Sequence, residues 1–217
     1  MSHIVIAGEG IGAALAACCA AAWRPGAAID LHLGPGGASG LEPVVLDGLP
    51  APILAALDPL VVRTWDAFTV VCGGAQRQFP ARLALIDPRQ VALEIDRLAG
   101  RIRLCPPSGA GAPDLVITVP PGQPVRASML SADSAAGLSR PVLADFDVAR
   151  ASDLFLQYFP DAGGAVTVRQ CCAAAIDGPA LLAAHDDGPA LAAAILEASA
   201  AGQWAIKQVN DFINLHE

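Results

Sequence analysis

The sequence is poor in lysine, in aromatic residues and in charge. Lys207 is its only lysine, and Lys and Arg together number 13. Without a lysine in a glycine-rich turn there is no P-loop for nucleoside triphosphates. No GxSxG elbow occurs either, which removes the usual serine-hydrolase geometry. Aromatic residues make up 5% of the chain, with a single tyrosine, Tyr158. The core must therefore be built from Leu, Val, Ile and 45 alanines. Charged residues are only 16%, but 54% of residues are apolar, so intrinsic disorder is excluded. The net charge of −8 argues against nucleic-acid partners, which need clustered Lys and Arg.

Long hydrophobic runs are also missing. The longest, residues 11–23, is Ala-dominated and shorter than the roughly 20 residues of a membrane span. Glu9 and a strand-like segment precede it, so it does not read as a signal peptide. Peripheral membrane contact stays open. No CxxC pair occurs among Cys18, Cys19, Cys72, Cys105, Cys171 and Cys172. The expectation is reduced, buried thiols in a cytoplasmic protein. His3, His32 and His216 lack partners at ligand spacing, and His185-Asp186-Asp187 reads as a solvated linker, so no metal site is expected.

What is present begins at the N-terminus. Residues 3–7 (HIVIA) form a short β-branched run that reads as a buried strand. Gly8-Glu9-Gly10-Ile11-Gly12-Ala13 follows, then a helix-forming stretch to residue 23, then a second strand at 27–33 ended by Leu33 and glycines. Strand, glycine turn, helix and strand make a βαβ unit. Gly8 permits the tight turn, Gly10 lets a pyrophosphate approach, and Ala13 is small enough for helix–strand packing. The helix N-terminus offers free N–H groups to phosphate. These residues, with Leu33, are the candidate dinucleotide site. Two features depart from the pattern. Glu9 puts a carboxylate inside the loop, and the second strand ends in Leu33 rather than the acid that holds ribose hydroxyls. Asp30 is acidic but lies too early in the strand.

Further along, Thr69–Cys72 and Gln76–Phe79 flank Gly73-Gly74 as a hairpin. Asp87-Pro88 opens a helix over 89–99, and 101–105 is a short strand. Residues 106–113 (PPSGAGAP) read as a linker and 114–119 as another buried strand. Segments 125–130, 141–150, 153–159 and 165–172 read as an antiparallel sheet. Asp177-Gly178-Pro179 and Asp187-Gly188-Pro189 each read as a helix start. From Pro189 one long helix is expected to about Asn214. Its apolar stripe is Leu191, Ile195, Ala198, Gly202, Ile206, Val209 and Ile213. The expected fold is α/β: a Rossmann-like βαβ domain with a small antiparallel sheet and a C-terminal helix. The βαβ part takes 1–58, 87–120 and 175–217, and the sheet part takes 59–86 and 121–174.

Several phrases, in order along the chain, resemble the flavin-dependent lycopene cyclases of bacteria. They are Leu57-Asp58-Pro59-Leu60-Val61-Val62-Arg63-Thr64-Trp65, the hairpin Thr69 to Gln78, and Arg140-Pro141-Val142-Leu143-Ala144-Asp145-Phe146-Asp147. Asp153-Leu154-Phe155-Leu156-Gln157-Tyr158-Phe159-Pro160 and the closing Gln203-Trp204 with Phe212-Ile213-Asn214 complete the series. The resemblance implies FAD as cofactor and an isoprenoid or carotenoid as ligand. It also implies a carboxylic acid that protonates an alkene. At the family's acidic phrase this chain has Arg169, Gln170 and Cys171, and an arginine does not give up its proton. The flavin-contacting loop is absent after Cys172, and the family's early phrase is replaced by 42–47 (EPVVLD). Asp145 and Asp147, placed on one face of a strand, are the substitute catalytic carboxylates the sequence offers. Two readings stay open: a cofactor-bearing enzyme acting on an isoprenoid, and a non-catalytic scaffold that binds such a ligand, a partner or a second copy of itself.

Overall fold

The computed structural model describes residues 2–34, 40–105, 113–119, 126–130, 138–147, 154–160, 165–172 and 176–216. Most of the expected linker 106–113, and parts of the segments expected at 125–130, 141–150 and 153–159, lie outside the described residues.

Strand β1 (His3–Glu9) runs into helix α1 (Gly10–Trp23), which leads to β2 (Ala28–Gly34). β1 and β2 pair in parallel from His3↔Ala28 to Glu9↔Gly34. With β6 (Ile102–Leu104) and β7 (Leu115–Val119) they form a four-stranded parallel sheet, order β6-β2-β1-β7. The βαβ unit is therefore as expected. Alanine has the highest helix propensity, so α1 forms readily, and Pro25 lies just past its end. Arg101 then donates to the carbonyls of Ala21 and Arg24, covering the C-terminal end of α1.

The small side chains of α1 let other helices come close. α2 (Ala51–Leu57), α3 (Pro88–Arg97) and α6 (Ala201–His216) all pack on it. Asp87 caps α3 by accepting from the Arg89 N–H at 2.8 Å, with Pro88 at the first helical position. The resulting core joins Ile4, Ile6, Ile29, Leu31, Ile117 and Val119 of the sheet to Leu15, Val91, Ile95, Ile206, Val209 and Ile213 of the helices.

The second sheet is larger than the sequence suggested. A 3-10 turn (Asp58–Leu60) leads into β4 (Val61–Cys72), which pairs with β5 (Ala75–Ile86) through the Gly73-Gly74 turn. Both glycines have positive φ, 63° and 73°, as a two-residue hairpin loop requires. Each expected hairpin strand is thus the end of a twelve-residue strand. β3 (Glu42–Val45), β8 (Arg126–Leu130), β9 (Val142–Asp145), β10 (Leu154–Pro160) and β11 (Val166–Cys172) complete the order β3-β5-β4-β9-β10-β11-β8. Pairing is antiparallel except between β4 and β9, which run parallel. Pro43 is tolerated because β3 is an edge strand, and Pro80 because it faces the β4 irregularity at Trp65/Ala67.

The single helix expected over 189–214 is two. After α4 (Gly178–Ala184), α5 (Gly188–Ser199) stops at Ala200, whose φ of −139° and ψ of 111° are extended. The stripe is divided accordingly. Leu191 and Ile195 of α5 enter a second core with Trp65, Phe68, Phe79, Leu83, Phe155 and Phe159. Ile206, Val209 and Ile213 of α6 enter the first. The helix starts are as read: Asp177 accepts from Ala180 N–H and Asp187 from Ala190 N–H.

Candidate functional site

The glycine-rich segment lies where the parallel strands end. Strand order reverses between β1 and β7, and such switch points at the carboxyl ends of strands are where ligands bind. Gly8 stands there with β7 pressed against it. A Cβ on Gly8 would lie 2.7 Å from both the Cβ and the carbonyl oxygen of Val119, and 3.2 Å from the Cβ of Ala13. Gly10 opens α1 at φ 61°. Ile11, Gly12 and Ala13 are buried in its first turn, which has no acidic residue. Glu9 is the N-cap, but its side chain makes no capping bond, so the first N–H groups of α1 are left for another acceptor.

The Glu9 side chain instead leans across β2. A Cβ placed on Gly34 would meet Glu9 Cγ at 2.8 Å and Oε1 at 3.4 Å. Leu33, beside it, is 40% exposed. Asp30 is occupied elsewhere. Its carboxylate takes His3 Nε2 at 2.8 Å and the Arg103 guanidinium at 2.7 Å. Burial raises the Asp30 carboxyl, but the hydrogen bonds from His3 and Arg103 outweigh it and hold it below its usual value.

The residues at the resembled acidic phrase form no reaction site. Arg169 is 3% exposed and lies in a buried polar network. It donates to Gln157 Oε1 at 3.0 Å and to Glu42 Oε2 at 3.1 Å. Glu42, 6% exposed, also accepts the Gly202 N–H of α6 at 2.9 Å. Burial pushes the Glu42 carboxyl up, while Arg169 and that N–H pull against it. Gln157 donates to Leu143 O and Ser199 Oγ, and Gln203 accepts from Val45 N–H. The break at Ala200 is thus where a β3 carboxylate reaches the start of α6. Sequence reasoning missed Glu42, Gln157, Ser199 and Gln203. One signal was available: Gln157 falls on the same strand face as Phe155 and Phe159, the face that packs inward.

The candidate carboxylates Asp145 and Asp147 do not share a strand face. β9 ends at Asp145, which is buried, and Asp147 sits on the following bend, exposed. The Asp147 N–H donates to Asp145 Oδ1 at 3.1 Å. The Asp147 carboxylate accepts both Gly73 and Gly74 N–H groups at 2.7 Å, pinning the β4–β5 turn. Burial, and then Asp145, push the Tyr158 phenol up.

Cys18, Cys19 and Cys171 are buried free thiols, as expected, whereas Cys72 and Cys105 are free but partly exposed. Burial pushes Cys18 up to about 12 and Cys171 to about 11, which keeps both neutral. Among the described residues no cluster of three potential metal ligands occurs, and no helix is long and apolar enough to cross a membrane.

No protein-family model and no curated protein matches the sequence. Among solved structures, Klebsiella pneumoniae HpxO complexed with FAD and uric acid is 13% identical, with a TM-score of 0.48 over 96% of this chain and 65% of that one. The C294A mutant of 2-methyl-3-hydroxypyridine-5-carboxylic acid oxygenase is 11% identical, with a TM-score of 0.47 over 97% and 68%. The peptidyl tryptophan dihydroxylase QhpG, essential for tryptophylquinone cofactor biogenesis, is 16% identical, with a TM-score of 0.42 over 83% and 48%. The chain spans about half to two thirds of these proteins. None of the three is a lycopene cyclase. The fold assignment rests on the strand order and the βαβ unit, and likeness at this level carries no activity across.

Proposed function

We propose that the chain binds FAD, or a closely related dinucleotide, in the crevice at the carboxyl ends of β1 and β7, and that it does not carry the acid-catalysed cyclisation implied by the resemblance. The observation behind the binding reading is Gly8 near the end of β1 with the Gly10 turn that follows. Gly8 is demanded by the approach of Val119, and Gly10, at φ 61°, opens an α1 N-terminus that is uncapped and free of acidic residues in its first turn. The residues present fit such a group: Gly8, Gly10, Gly12 and Ala13 would pass close to the pyrophosphate. When bound, FAD would supply hydride or electron-transfer chemistry. The protein's part is to place it.

The reading without cyclisation is supported by Arg169. A guanidinium buried in an ion pair with Glu42 cannot protonate a substrate, and the carboxylate beside it is held by Arg169 and the Gly202 N–H. An isoprenoid ligand would then be bound rather than cyclised.

The test is an absorption spectrum of freshly purified protein, followed by titration with FAD. A flavin band, or saturable uptake near one FAD per chain, is the expected result. A colourless protein that takes up no added FAD overturns the reading. Bands of a polyene would identify a carotenoid ligand in the same spectrum.

A further inference from the structure

We propose that Glu9 holds the ribose hydroxyls of the dinucleotide, a role otherwise filled by an acidic residue at the end of the second strand. This rests on the dinucleotide reading above and assigns a role to one residue within it.

Three observations converge. The end of β2 has no acid: it reads His32-Leu33-Gly34, and Asp30 is held by His3 and Arg103. Glu9 pairs in register with Gly34, and its side chain lies over that glycine so closely that any Cβ there would strike Glu9 Cγ at 2.8 Å. The carboxylate thus stands beside the strand end where the ribose acid is required. Finally, Glu9 neither caps α1 nor makes any hydrogen bond or ion pair among the described residues. With no donor to them among the described residues, its acceptor oxygens suit two O–H donors from one diol. Gly34 and Glu9 read together as an exchange of positions: the acid has moved from one strand to its neighbour, and the glycine makes room for it.

The same geometry sets selectivity. A carboxylate at this place accepts from a free 2′-hydroxyl and repels a 2′-phosphate. FAD and NAD are then favoured over NADP.

The experiment is isothermal titration calorimetry of FAD with wild-type protein and Glu9→Gln, with ADP and 2′-deoxy-ADP as competitors. Thermal melting of both proteins checks the fold, and the variant is expected to melt as wild type because Glu9 makes no hydrogen bond or ion pair among the described residues. Glu9→Gln should bind FAD about tenfold more weakly, or worse, since a charge-assisted bond to the diol is lost. ADP should compete better than its 2′-deoxy analogue against wild type, and equally well against the variant. The double variant Glu9→Gly/Gly34→Glu, which returns the acid to β2, should recover binding. If Glu9→Gln binds FAD as tightly as wild type, or tighter, Glu9 is only a repulsive charge near the phosphates, and this inference fails while the dinucleotide reading stands. If wild type itself binds no FAD, both fail.

Discussion

At the carboxyl end of the parallel sheet, Glu9 stands without a hydrogen-bond or ion-pair partner among the described residues, over a glycine that yields to it. On β3, Glu42 is buried, paired with Arg169 and bonded to the Gly202 N–H in the first turn of α6. Both carboxylates lie next to a helix start. One is left available; the other is consumed by the fold. The difference lies in the partner each finds. α6 brings a backbone donor and β11 a guanidinium to Glu42, whereas nothing described comes to Glu9. An open acid beside a glycine turn is suited to a ligand. A closed acid–arginine pair holds strands and helices together.

The closed pair can be broken most severely. Arg169→Met should destabilise the protein by about 3–5 kcal/mol, because it leaves the Glu42 charge buried and unpaired. Urea unfolding measures it. Combining it with Glu42→Gln should restore much of the loss, and a double variant no better than the single one would mean that the two do not act as a pair.

A smaller effect is expected at the open end. Gly8→Ala forces a methyl group against the Cβ and backbone oxygen of Val119, which should cost about 1–3 kcal/mol of stability and also weaken FAD uptake. An alanine variant with unchanged melting and unchanged uptake would show that β7 does not press on Gly8.

The mildest perturbation is acid. Asp30 is held below its usual carboxyl value in the folded chain by His3 and Arg103 against its burial, so it contributes stability above about pH 4, the unfolded carboxylate range. That contribution is lost as pH falls through the lowered folded value. Asp30→Asn should therefore lower stability at neutral pH, and the gap should close in stronger acid. A gap that stays constant with pH would show that the loss is one of packing rather than charge.

How much of this could be read in advance depends on distance along the chain. The βαβ unit was legible because its signals are local: a β-branched run, a glycine turn and an alanine helix. The cap at Asp87 and the helix starts at Asp177-Gly178-Pro179 and Asp187-Gly188-Pro189 were legible for the same reason. The long β4–β5 strands were half missed because Arg63, Asp66 and Pro80 interrupt the apolar run without ending the pairing. Glu42 and Arg169 are 127 residues apart in sequence, and no periodicity links them. The stripe over 189–214 was periodic throughout, so nothing local marked the break at Ala200. Beyond that break the Gly202 N–H meets a carboxylate from another strand.

The division at Ala200 has a consequence for synthesis. α5 completes one core and α6 the other, so each core lacks an inner wall until residues 188–216 have been made. The parallel sheet and the long hairpin leave the ribosome first, with apolar faces waiting for helices still to come. Domains tend to fold as units in the order of their synthesis, at about 5–20 residues per second. Here both cores wait for the last stretch of the chain, and a nascent chain stalled before residue 188 should be a client of chaperones rather than a half-folded protein.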